Sequence, residues 1–288
     1  MAYGNYQGYY QYRLEDCEDS RFHILKKEYF INKKCLDIGC NAGAVTIRIF
    51  EDHKPRYMVG IDRDKILVKK AQQNLKKIRA ISDEEEDKRR TVDNTSSSDT
   101  DAEGAASSEN IAVPGVPFAA QTTTINRTLL FRQENIITER RHQLILCCHP
   151  GIMDFECMAL DSYRKYYIVY TIQVMHKDHS YDTITCLSVV KWIHLTYGDD
   201  GLLSLFRKAH RLLKPGGLFI LEFQSWKSYK KKKSLCRETE KMYASIEMRP
   251  DSFEQVLSSE IGFTFVENLG KTVHSKKGFR RHILLCTK

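Results

Sequence analysis

The chain has 288 residues, 42% of them hydrophobic and 28% charged, with a formal net charge of +8. No run of 18 apolar residues exists, which excludes a membrane-spanning helix, and the polar Met1–Arg13 start predicts no secretory signal. Nine scattered cysteines exclude a small disulfide-bonded framework and predict reduced thiols, as in a nuclear or cytosolic protein.

In chain order, Gly4–Arg13 comes first, with four tyrosines and an arginine, followed by Glu18-Asp-Ser-Arg21. Tyrosines can stack on bases and arginine forks can grip phosphates. Cys35–Ile38 is a short apolar run bounded by lysines and glycine, which predicts a buried strand. Asn41 and Gly43 then open a helix from about Ala44. Arg56–Ile61 is a second strand ending at Asp62. Asp64 caps a helix that runs to about Arg79, with Ile66, Leu67, Ala71 and Leu75 at helical spacing.

Residues 81–117 lack aromatics and are rich in Ser, Thr, Asp, Glu and Gly, a composition that predicts a disordered insertion. Residues 81–110 hold ten acidic and three basic residues, so the rest of the chain carries +15 and suits a polyanionic partner. Thr128–Phe131 and Tyr181–Leu187 are the third and fourth strands. The stretch between them, 137–180, is long for a connection and reads as an irregular insertion. Asp199–Leu213 is an amphipathic helix that stops at Lys214-Pro-Gly-Gly217. Leu218–Glu222 is a fifth strand. Helices follow at Glu238–Met248 and Ser252–Ser259, then a closing strand pair, Phe263–Leu269 and His282–Cys286. The alternation predicts a single α/β domain over 1–288: a mostly parallel seven-stranded sheet with one antiparallel edge strand and helices on both faces.

Such sheets bind ligands beyond the carboxyl ends of their strands. Four motifs fall there. Leu36-Asp-Ile-Gly-Cys-Asn-Ala-Gly43 is a glycine turn whose spacing differs from the dinucleotide fingerprint, and Asp62 is placed to accept both hydroxyls of a ribose. Cys186–Leu195 places Lys191 and Trp192 directly after a buried strand; His194 in the same run reads as structural. Leu221-Glu-Phe-Gln-Ser-Trp-Lys-Ser-Tyr229 leads into Lys230–Lys233, where aromatics interleave with cations as in a nucleic-acid site. Cys147, Cys148, His149, Cys157, His176 and His179 match no zinc spacing, so no metal is expected.

The glycine turn with Asp62 resembles class I, Rossmann-like methyltransferases. Together with GNY–x–x–YY–x–YR, EDSR, CLSVVKWIHL–x–YGD, LKPGG, QSWKSY and the tail Ser275–Arg280, it resembles the methylphosphate capping enzymes, the bicoid-interacting family of RNA methyltransferases. The resemblance implies methyl transfer from S-adenosylmethionine, leaving S-adenosylhomocysteine, to the 5′ γ-phosphate of a small noncoding RNA. It implies a nuclear or else cytoplasmic protein, with RNA-associated proteins as partners and no membrane. By motif position, Tyr10, Arg21, Gly39, Cys40, Asn41, Asp62, Arg63, Asn135 and Leu187 line the cofactor site. Tyr9, Arg13 and Lys191 face the terminal phosphates as the catalytic set. Gln224, Trp226, Tyr229 and Lys230 hold the first nucleotides.

Three departures stand out: Phe223 and Ser225 replace the family's two prolines, Ile136 replaces a tyrosine after Asn135, and 137–180 is longer. Loss of the prolines predicts a looser loop. Methylation of a 5′-monophosphate, a base or a protein on the same scaffold, and RNA binding without catalysis, remain the alternatives.

Overall fold

The computed structural model describes residues 19–95, 127–137, 176–273 and 279–288. Tyr9, Tyr10, Arg13, residues 96–117 of the acidic tract, 138–175 and Ser275 lie outside the described residues. Seven strands form one sheet: β1 (Lys34–Ile38), β2 (Tyr57–Asp62), β3 (Thr128–Gln133), β4 (Tyr181–Leu187), β5 (Leu213–Phe223), β6 (Phe265–Lys271) and β7 (His282–Thr287). Their order is β3-β2-β1-β4-β5-β7-β6. The first five pair in parallel, while β7 pairs antiparallel with both β5 and β6. The chain builds outward from β1 to β3 and then returns to lay β4 on β1's other side. That reversal opens the crevice at the carboxyl ends of β1 and β4.

Alternation along each strand divides the core into two layers. Leu36, Ile38, Val59, Ile61, Phe219 and Leu221 join one layer with Leu202, Phe206 and Phe253; Cys35, Met58 and Ile220 join the other with Ile47, Val68 and Ala71. Helices therefore cover both faces. The first layer is aromatic at its centre, where Phe206 meets Phe219 and Phe253 edge-on at 6.3 and 5.8 Å. Truncating a ring buried this fully costs about 3–5 kcal/mol.

The helices are α1 (Ala44–His53), α2 (Lys65–Thr95), α3 (Val190–Leu212), α4 (Trp226–Lys230) and α5 (Arg237–Ser245). Asp64 caps α2 as expected, its Oδ1 accepting from the N–H groups of Ile66 and Leu67 at 2.7 and 3.3 Å. The helix does not stop near Arg79. It runs to Thr95, so the first fifteen residues of the expected disordered insertion are helical. In the sequence, Glu84–Glu86 stand four positions before Lys88–Arg90, a spacing that supports helix without any apolar face.

α3 also begins earlier than Asp199. It starts at Val190 and bends at Gly198, whose φ of 66° and ψ of −165° interrupt the helical run. Val190, Ile193 and Leu195 are buried, so packing overrides the β-like composition of this stretch. The expected stop at Lys214-Pro-Gly-Gly217 is a bulge inside β5, where the β4 register jumps between Tyr181 and Thr183. The expected helix Ser252–Ser259 is a succession of short turns, Pro250–Ser252, Phe253–Gln255 and the π-helical Val256–Ile261. No helix of the described residues is long and apolar enough to cross a membrane.

Candidate active site

At the end of β1 the backbone turns through Gly39 (φ 79°) and Asn41 (φ 52°) before α1 opens at Gly43. The N–H groups of Gly39 and Cys40 both donate to the carbonyl of Ile61, at 2.8 and 3.0 Å. Asp62, nearly buried, completes the tie: Oδ2 accepts from Asn41 N–H at 3.0 Å and Oδ1 from Asp64 N–H at 2.9 Å. Burial raises its carboxyl above the ordinary range, and these two N–H donors oppose that rise. One carboxylate thus fixes the end of β2 to the glycine turn. Carboxylate lone pairs exceed these two donors, so ribose hydroxyls can be accepted as well.

Gly39, expected to line the cofactor site, packs closely on its other side, since a Cβ there would lie 2.1 Å from Val189 Cγ2. A Cβ on Gly43 would lie 2.8 Å from Phe131 and 2.9 Å from Ala71. Both glycines permit close packing of chain on chain. Beneath the turn, the buried Asp37 accepts hydroxyl hydrogen bonds from Thr46 and Thr185 at 2.6 and 2.7 Å. Cys40 is buried with its thiol pKa raised, so only its backbone faces the turn chemistry. Leu187 is buried at the end of β4; Arg63 is half-buried after β2; Asn135 donates from Nδ2 to the Tyr197 hydroxyl at 2.9 Å.

Arg21, expected to line the cofactor site, stands in the segment before β1. It is fully buried, forked onto Asp19 through Nε at 2.9 Å and Nη2 at 2.5 Å, with Nη1 3.6 Å from Glu222. Glu222, also fully buried, receives the Ser188 hydroxyl and stands 3.9 Å from Arg281. This network ties the segment before β1 to the ends of β4, β5 and β7.

On the other side of the crevice, Lys191 rides the first turn of α3. It is 5% exposed, its Nζ donates to Ser228 Oγ at 3.1 Å, and it lies 4.6 Å over the Trp192 ring. Among the described residues no carboxylate lies within ion-pair reach of it. Burial, with the charges of Arg281 and Lys232 adding to it, pushes its pKa down to about 7.

α4 carries the aromatic motif. Trp226 stacks on Tyr243 of α5 at 4.5 Å and 11°, with Arg249 5.4 Å from its centroid. Tyr229 was expected to hold a nucleotide, but it is fully buried against Leu195 and Ile246. It stands three positions after Trp226, so the two rings are neighbours along one face of α4, 5.2 Å apart, with Tyr229 the more deeply buried. Its hydroxyl meets His194 Nδ1 at 3.3 Å, and His194 Nε2 meets Asp199 at 2.6 Å, so His194 is structural as expected. Gln224 donates from Nε2 to Ser188 O at 3.3 Å, while its buried Oε1 has no hydrogen-bond partner among the described residues. Lys230 is exposed.

The two positions that carry proline in the family are both held in regular backbone here. Phe223 pairs with His282 inside the sheet and packs on Phe253 at 5.3 Å, and Ser225 adopts φ −63°, the value proline would fix. His176 is engaged by Glu134 and the Tyr181 hydroxyl, and His179 by Leu213 O. Ser228 and Arg281 were not singled out from the sequence. Ser228 stands within the aromatic motif itself, and Arg281 immediately follows the tail motif, so both signals were adjacent.

The strand order, the glycine turn after β1 and the acidic residue closing β2 define the class I methyltransferase fold. The chain belongs to the Bicoid-interacting protein 3 (Bin3) family, whose profile matches residues 181–288. A probable RNA methyltransferase of Arabidopsis thaliana is 35% identical over 293 residues, 98% of this chain and 79% of the plant protein. The 7SK snRNA methylphosphate capping enzyme of Mus musculus is 33% identical over 304 residues; the match takes in 99% of this chain but 40% of the mouse protein. The U6 snRNA methylphosphate capping enzyme Amus of Drosophila melanogaster is 30% identical across 100% of this chain and 75% of its own length.

Proposed function

We propose that this protein transfers a methyl group from S-adenosylmethionine to a 5′-terminal phosphate of a small noncoding RNA, in the first instance a γ-phosphate. The observation that carries the reading is Lys191, a buried cation without a described carboxylate partner, seated at the crevice with Arg281 and Lys232 nearby. Such a place favours an anion. The Bin3 relatives named for methylphosphate capping support the choice of phosphate.

The residues of the glycine turn fit the cofactor by their chemistry. Asp62 would accept the ribose hydroxyls, and the Gly39–Asn41 backbone with Asn135 would border the rest. Bound there, S-adenosylmethionine supplies an electrophilic sulfonium methyl. The acceptor needs no general base, because a terminal phosphate loses its second proton with a pKa of about 6. The protein's part is alignment and exclusion of water. Lys191 holds the phosphate from one side. Pairing it too tightly with the attacking oxygen would blunt that oxygen's nucleophilicity, so the amine has to grip its neighbours. Exposed Lys227, Lys230 and Lys231 flank Trp226 along the path the RNA would follow. A nuclear location and RNA-associated protein partners go with this reading.

The test is transfer of labelled methyl to triphosphate-, monophosphate- and hydroxyl-ended RNA of one sequence. Label on the triphosphate end and none on the hydroxyl end is expected. Equal label on both would mean that the acceptor is a base or ribose. Preference for the monophosphate would move the acceptor to the α-phosphate, and RNA binding without transfer would leave a non-catalytic binder.

A further inference from the structure

The helices α3 and α4 are laced by two parallel rungs. His194 stands three positions after Lys191 along α3, and on α4 their partners are the neighbours Ser228 and Tyr229. The His194–Tyr229 rung is buried and anchored, because His194 is held by Asp199, whose Oδ2 also accepts from the N–H groups of Glu247 and Met248 at 2.9 and 3.1 Å. The outer rung is different in kind. Ser228 is half-buried, and its hydroxyl accepts from Lys191 Nζ at 3.1 Å. As an acceptor toward the lysine it keeps its own O–H to donate elsewhere, and among the described residues nothing accepts from it. A hydroxyl donor and an ammonium thus stand side by side, and the positive charges of Arg281 and Lys232 lie near enough to act on the ammonium. That is a two-point donor pair for one tetrahedral anion.

We propose that Ser228 is a substrate-binding residue: its hydroxyl donates to a non-attacking oxygen of the terminal phosphate that Lys191 holds, so that the pair reads the phosphate and leaves the third oxygen for reaction. This deepens the proposed function and rests on it. Ser228 is placed for this by the sheet. Phe223 is locked in β5, Ser225 begins α4 and accepts from Ser228 N–H at 2.8 Å, and the buried Tyr229 fixes the helix's rotation.

The experiment measures binding of triphosphate-ended and hydroxyl-ended RNA of one sequence, in the presence of S-adenosylhomocysteine, together with steady-state methyl transfer. Ser228→Ala should weaken the phosphate-ended RNA about tenfold, the scale of one hydrogen bond to a charged group, and leave the hydroxyl-ended RNA unchanged. Its KM should rise while kcat moves by less than about twofold, given loss of a binding contact rather than of the reacting group. Ser228→Thr should restore the discrimination. Ser228→Asp should abolish it, because the new carboxylate would occupy Lys191. If Ser228→Ala weakens both RNAs alike, or neither, the proposal is overturned and the serine only supports α4. If the parent protein itself does not distinguish the two RNA ends, the phosphate reading fails at its root, whatever the serine does.

Discussion

The two sides of the crevice are built from different materials. The side beside β1 and β2 is a backbone structure: N–H groups of Gly39 and Cys40 on one carbonyl, and those of Asn41 and Asp64 on one carboxylate. The side beside β4 and β5 is a side-chain structure, made where Lys191, Ser228, His194, Tyr229, Trp226 and Tyr243 meet across three helices. A backbone-built wall serves any ligand of suitable shape, and suits the part of a reaction that many enzymes share. A side-chain wall can be altered one residue at a time, and so is where substrate choice is written.

This contrast can be broken most easily at Lys191. Lys191→Ala should lower kcat about a hundredfold with saturating RNA, the scale of removing one preorganised charge donor, and leave cofactor affinity unchanged by calorimetry. Full turnover would mean that the side-chain wall does not touch the reacting phosphate. On the other wall, Asp62→Ala should weaken S-adenosylhomocysteine binding by about 1.5–3 kcal/mol, as for hydrogen bonds to a charged group. Unchanged affinity in a folded variant would remove the cofactor from the glycine turn.

The pH profile sharpens the same contrast. The acceptor must be a dianion, so kcat/KM should rise through its pKa of about 6. Lys191 must be protonated to attract it, and its pKa in the free site lies at about 7. The rate should therefore fall above that value, by about tenfold per pH unit at most. In Lys191→Arg the falling limb should disappear, because a guanidinium does not titrate in this range. The smallest effect belongs to the rim. Changing the exposed Lys227, Lys230 and Lys231 to alanine should flatten the salt dependence of RNA binding by about 0.7 in log–log slope per lost contact, with kcat preserved.

The contrast also explains what the sequence could and could not disclose. β4 was legible to the residue, and Asp62 and Asp64 were legible because a strand end and a helix cap each leave a local signature. Lys191 was located at the right end of the sheet, directly after the buried strand, but the helix that carries it was expected to begin only at Asp199. Val190 and Ile193 are β-branched, and their packing in the core goes with a helix that starts at Val190. Tyr229 misled in the opposite sense, since an aromatic in a basic motif is as ready to enter a core as to face a base. Its partner, His194, lies 35 positions away. Ser228 lies inside the aromatic motif, but the motif did not single it out, because its meaning depends on a lysine brought to it from another helix.

The place of β7 has a consequence for how this edge of the sheet can close. β6 precedes β7 in the chain, yet among the described residues its sheet partner is β7, which lies between it and β5. β6 therefore reaches the sheet through β7, whether the two dock together as a hairpin or one after the other. Until β7 is in place the edge of β5 is open, and an unpaired edge invites another chain. Arg281, at the threshold of β7, comes to the crevice with that strand, so the charge that surrounds Lys191 is complete only once the last interior strand is in.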